Sequence, residues 1–150
     1  MGTIADLYEA FSQVKLREEL PNLIQATSYE IDTLVISQLD KGELATGEKI
    51  TPSYASNYYS KKKEQMNPTP GYGTPDIKYT GNLYKNIGVS VTQDAYDIES
   101  SVPYADDQSI TQYGDKLLAL SEENKEVYCE ETLLSKIQEY ITGKTGLIFE

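Results

Sequence analysis

Gly143-Lys144-Thr145 matches the last three positions of a phosphate-binding loop, where backbone N–H groups and a lysine hold a nucleotide's phosphates. The full pattern needs a glycine five residues before Gly143, and Gln138 stands there. Gly71-Tyr72-Gly73 is too short for a dinucleotide fingerprint and reads as a loop tip. Asp94, Asp97, Asp106 and Asp107 offer carboxylate oxygens, but their spacing does not alternate around a central glycine as a calcium loop requires. Asp106 and Asp107 suit the first turn of a helix instead. The single cysteine, Cys129, has no cationic neighbour in sequence to lower its pKa, and its expected role is packing inside a helix.

The absence of histidine is more restrictive. A Ser-His-Asp triad, a Cys-His pair and a histidine-ligated metal are all unavailable to these residues. The expectation is therefore a protein that is not an enzyme, with no catalytic residues, no metal and no cofactor. One cysteine also forbids an internal disulfide, which fits a reducing compartment. No basic-then-apolar leader opens the sequence, and no apolar run reaches the ~20 residues that span a bilayer. No membrane association is expected.

Tyrosine carries more information. Nine of the thirteen tyrosines fall between Tyr54 and Tyr113, and the chain has no tryptophan. Tyrosine offers contact area at low entropic cost and ends in a polar group, which favours it at interfaces. Tyr54, Tyr58 and Tyr59 precede the run Lys61, Lys62, Lys63, and Tyr72 lies in a Pro/Gly-rich loop beyond. Residues 53–79 are thus the first candidate for a partner interface. The apolar segment Leu147, Ile148, Phe149 is the second.

Charge divides the chain. The net charge is −11: residues 1–40 carry −5, residues 41–93 carry +3, and residues 94–150 carry −9. Such a balance repels nucleic acid as a whole but leaves the lysine-rich middle free to meet an acidic surface.

These residues need elements to position them. The 150 residues suit one domain, 1–150. Ile4, Leu7, Tyr8, Phe11 and Val14 recur at helical spacing, so a helix is expected over 4–18. Pro21 suits the first turn of a second helix, ending near Gly42. Ser53 is the expected cap of a polar helix to about Met66, followed by an exposed loop over 67–76. Alternation at Ile87, Val89 and Val91, then at Tyr96, Ile98 and Val102, predicts a hairpin of strands 87–92 and 96–102. A short helix over 104–113 stops at Gly114, and Ser121-Glu122-Glu123 starts a last helix ending at Gly143. The fold class is α+β: long N-terminal helices and a C-terminal helix on a small antiparallel sheet. Tails at 1–20 and 143–150 are expected to be flexible or ordered by a partner.

Tyr79-Thr80-Gly81-Asn82-Leu83-Tyr84-Lys85-Asn86-Ile87, then the hairpin, then Val102-Pro103-Tyr104-Ala105, resembles the tail-completion or head–tail joining family of bacteriophage neck proteins. Ile50-Thr51-Pro52-Ser53-Tyr54 before a lysine-rich helix, and Tyr113-Gly114 before Leu118-Ala119-Leu120-Ser121, are similar to versions from phages of Bacteroidetes hosts. Many relatives follow the Tyr-Ala pair with Glu-Gly, whereas Asp106-Asp107 stands here. The resemblance implies a virion component that assembles in the host cytoplasm as a homo-oligomeric ring between portal and tail. Its partners are portal or adaptor and tail proteins, and DNA passes through the channel without specific binding; from the charge alone, acids are expected to line that bore. It also implies structural roles: Thr80 caps a turn, Gly81 permits it, Leu83 anchors it, and Tyr104 and Ala105 complete the motif. The competing expectation is a small acidic cytosolic inhibitor that mimics DNA charge.

Overall fold

The computed structural model describes residues 2–104 and 107–150, and of Ser109 the backbone alone. Helix α1 (Ile4–Ser12) is closed by a reciprocal cap, Thr3 accepting from the Asp6 N–H while Asp6 accepts from the Thr3 N–H. The helix expected over 4–18 breaks after Ser12, where the Gln13 and Val14 N–H groups bond three residues back, and α2 (Leu16–Ala26) begins anew after Lys15. Pro21 lies within α2 rather than at its first turn. A proline at that place has no N–H for the carbonyl four residues back. That carbonyl belongs to Arg17, and it accepts instead from the Gln93 side chain at 3.4 Å.

Helix α3 (Ser28–Asp40) is the axis of the core. Ile31, Val35 and Leu39 stand one turn apart on its inner side and are 0–1% exposed. It ends as expected just before Gly42, whose φ of +70° is a left-handed stop. A Cβ on Gly42 would come within 2.8 Å of both Pro70 Cβ and Thr74 Cγ2. Leu44, Ile50, Ile77, Leu83, Tyr84, Ile87, Val102, Ile110, Leu117, Leu120 and Tyr128 complete one cluster around α3. Burying a Leu or Ile side chain fully is worth ~1.5–3 kcal/mol, so this cluster is the main driving force of the fold.

The hairpin forms with the expected parity. Strand β1 (Ile87–Val91) pairs antiparallel with β2 (Tyr96–Ser100), with Val89 opposite Ile98. The second strand stops two residues before its expected end, ahead of Pro103, with one further backbone bond from the Ser101 N–H to the Asn86 carbonyl. A two-stranded sheet is marginal alone. Here β1 lies on α2 and α3. Between α3 and the hairpin come α4 (Asn57–Met66), capped by Ser56 rather than Ser53, and the short α5 (Asn82–Lys85).

After the hairpin, the expected helix over 104–113 is reduced to α6 (Gln108–Thr111) and a 3-10 turn at Gly114–Lys116. Ala105 and Asp106 lie outside the described residues. Ser121 accepts from the Asn124 N–H at 3.2 Å and starts α7 (Glu122–Val127), as the sequence predicts. A π-helical segment (Tyr128–Leu133) joins it to α8 (Leu134–Thr145). That last helix runs past Gly143 and ends at Gly146, which takes the left-handed conformation instead. Cys129 is exposed, not a packing residue. Helix α1 packs on α8. The fold class is α+β, with helices on a two-stranded antiparallel sheet.

Candidate partner-binding surface and the polar network beneath it

Helix α4 has two unlike sides. Ser60 and Lys63 are buried and Tyr59 is half-buried, all facing inward. Tyr58, Lys61, Lys62, Gln65 and Met66 face water, with Tyr58 78% and Met66 70% exposed. The run of three lysines is therefore split by helical geometry. Lys61 and Lys62 keep the solvated place expected of them, and Lys63 does not.

Lys63 enters the interior because Asp76 waits there. Its Nζ lies 2.7 Å from Asp76 Oδ1 and donates to the Lys78 carbonyl at 2.8 Å. Asp76 also accepts from the Lys78 N–H at 3.0 Å and from Asn67 Nδ2 at 3.3 Å. Asn67 donates onward to the Asp40 carbonyl at 2.8 Å, tying the end of α4 to the end of α3. The Tyr54 hydroxyl reaches Asp76 Oδ1 at 3.4 Å, and the Tyr84 hydroxyl donates to the Asp76 carbonyl. Burial alone would raise the Asp76 carboxyl, but the Lys63 hydrogen bond and charge, with Lys78 and Asn67, outweigh it and hold the carboxyl below its ordinary value. Burial and the Asp76 charge push the Tyr54 and Tyr84 phenols upward, so both remain neutral donors.

The loop between α4 and α5 is consequently not the exposed segment expected over 67–76. Pro70, Gly73, Pro75, Asp76 and Ile77 are buried. Pro68, Thr69, Gly71 and Tyr72 stay exposed, and Tyr72 reaches back to Asn57 Oδ1 at 3.3 Å. Ile77 holds a φ of +56°, an unusual conformation for a β-branched residue, between the anchored Asp76 and Lys78. Tyr54 is half-buried, its ring edge-on to Tyr59 at 4.8 Å and 88°.

The turn that follows has the expected parts. Thr80 Oγ1 accepts from the Asn82 N–H at 3.4 Å, Gly81 is left-handed at φ +81°, and Leu83 is 1% exposed. Thr80 and Gly81 share with Lys63, Asn67, Asp76 and Tyr79 the wall of a cleft of about 190 Å³. Tyr104 is half-buried against the core, and Ala105 lies outside the described residues. Leu147, Ile148 and Phe149 are 40%, 84% and 46% exposed. The Leu147 N–H donates to Thr145 Oγ1 at 3.2 Å, just beyond the last turn of α8.

The structure thus brings Tyr54, Tyr59 and Lys63 together below the surface, and leaves Tyr58, Lys61 and Lys62 on top of it. Sequence reasoning missed Asp76 and Asn67, the hub of the network. An Asp at the end of a Pro/Gly-rich loop, directly before Ile77, was the available signal. A second concavity of about 480 Å³ lies between β2 and residues 110–120, lined by Ile98, Ile110 and Leu117 with Asp97, Asp115 and Lys125 at its edges. Among the described residues, no group of three or more His, Cys, Asp or Glu side chains is placed to hold a metal ion. No helix among them is long and apolar enough to cross a membrane. In comparisons with known proteins, no family model, curated protein or solved structure matches this chain.

Proposed function

We propose that this chain is a structural virion subunit of a bacteriophage neck, in which copies form a ring between the portal and the tail. The observation that carries this reading is the turn at Thr80-Gly81-Asn82-Leu83. Its cap, left-handed glycine and buried leucine agree with the roles the resemblance implies. The hairpin and the buried Val102 then follow in the order of that family.

Surface chemistry supports the same reading. Ile4, Tyr8, Tyr58, Met66 and Ile148 are each at least 70% exposed. Scattered apolar residues are ordinary, but large aromatic and aliphatic groups exposed on helices and on the C-terminal segment suit contact with other protein surfaces. The chain has no imidazole, and its best-connected ion pair is consumed in joining α4 to α3 and the loop between them. Assembly, not turnover, is what these residues are equipped for. In that role the chain needs no cofactor, meets portal or adaptor and tail proteins, and its net charge of −11 lets DNA pass without adhering.

Electron microscopy of the purified chain, alone and with its genomic neighbours, tests the proposal. Closed rings with a central hole are expected. A chain that stays monomeric in every mixture and instead captures a basic nucleic-acid-binding protein would favour the charge-mimic alternative.

A further inference from the structure

Two lysines on α4 and four acids on the last helical rod have no ion-pair partner among the described residues. Lys61 and Lys62 form no ion pair among the described residues, and neither do Glu123, Glu126, Glu130 and Glu131. All six side chains are exposed. Each set also has apolar company: Tyr58 and Met66 flank the lysines one turn away on either side, and Leu134, 48% exposed, follows Glu130 at the next turn. The opposed charges extend the wider imbalance of −9 after residue 93 against +3 in the middle of the chain.

We infer that these two faces are the two halves of one interface: the outer side of α4 in one copy docks on the acidic side of α7 and the π-helical segment in the next copy. The inference rests on the ring reading above and gives its contact. Two different patches that fit each other make a heterologous, head-to-tail contact, and such contacts generate rings when the rotation closes. Complementary charge sets the register and the encounter rate, while Tyr58, Met66 and Leu134 supply apolar area that charge alone lacks. Because the charged groups are exposed, salt weakens the contact.

Charge reversal tests this without touching the core. Lys61→Glu with Lys62→Glu, and separately Glu126→Lys with Glu130→Lys, are each expected to shift native mass spectra from the assembled species to the monomer. The chain carrying all four substitutions swaps two charges across the contact, with Glu123 and Glu131 staying acidic, and is expected to regain part of the assembly. Circular dichroism of every variant reports that the fold is kept. Cys129, exposed between Glu126 and Glu130, gives an independent readout. A single cysteine per chain can link copies only in pairs. Lys62→Cys supplies a second, and a short bis-maleimide should then produce a covalent ladder beyond two chains. If the wild type assembles but the reversals leave it intact, this interface is wrong and the ring reading survives. If the wild type never assembles, both fall. A reversal-sensitive assembly that stops at two subunits overturns the head-to-tail geometry.

Discussion

Lys63 and Asp76 form an ion pair of 2.7 Å in which the side chains are only 10% and 1% exposed. A pair this deep is held by its surroundings as much as by its own attraction, because both ions have lost their water. Lys78, Asn67 and Tyr54 replace that water around Asp76. The pair fixes α4 against the loop and so fixes which of its faces looks outward.

Lys63→Met should therefore cost ~3–5 kcal/mol, since it strands a buried carboxylate. The cost depends on pH. In the wild type the Asp76 carboxyl titrates below its ordinary value, so its stabilisation is fully present above about pH 4 and is lost as pH falls through the depressed value. In the variant, burial without the lysine acts the other way and protonation relieves the strain. Urea unfolding of both proteins should show the gap narrowing as pH drops from neutral into the acid range. A gap that is constant or widens would contradict the account.

Gly42→Ala combines two penalties. The left-handed backbone costs an L-residue ~1–2 kcal/mol, and the new methyl would meet Pro70 and Thr74 at 2.8 Å. Gly47→Ala incurs only the first, because nothing lies within 4 Å of a Cβ there, although φ is +81°. Thermal melts should rank Gly42→Ala clearly below Gly47→Ala, at ~2–4 °C for each further kcal/mol.

Asp32 offers the opposite case. One of its oxygens is buried with no hydrogen-bond partner among the described residues, and burial raises its carboxyl above the ordinary value. A raised carboxyl opposes folding once it ionises. Asp32→Asn should stabilise the protein at neutral pH by ~0.5–2 kcal/mol, the range of a single corrected site. The gain should vanish below the ordinary aspartate range, where the wild-type side chain is also neutral.

Much of this fold is legible where local chemistry decides it. The Ser121 start, the Gly42 stop, the Thr80 cap and the alternation from Ile87 to Val91 each depend on neighbours a few residues away. Errors fall where distant groups intervene. Pro21 sits inside α2 because Gln93, from the hairpin turn, takes the carbonyl that the proline leaves free. Lys63 reads as a solvated lysine until Asp76, thirteen positions on, is folded beside it. The helix passes Gly143 because Gly146 supplies the left-handed stop, and two glycines so close give the sequence no means of choosing. The candidate surface was legible as a region, and its division into buried and open residues was not.

Native mass spectrometry of the wild-type chain over a range of protein and salt concentrations tests the central claim most directly. One discrete oligomer of more than two subunits, dissolving as salt rises, is the predicted result. A monomer at every concentration and at the lowest salt would contradict it.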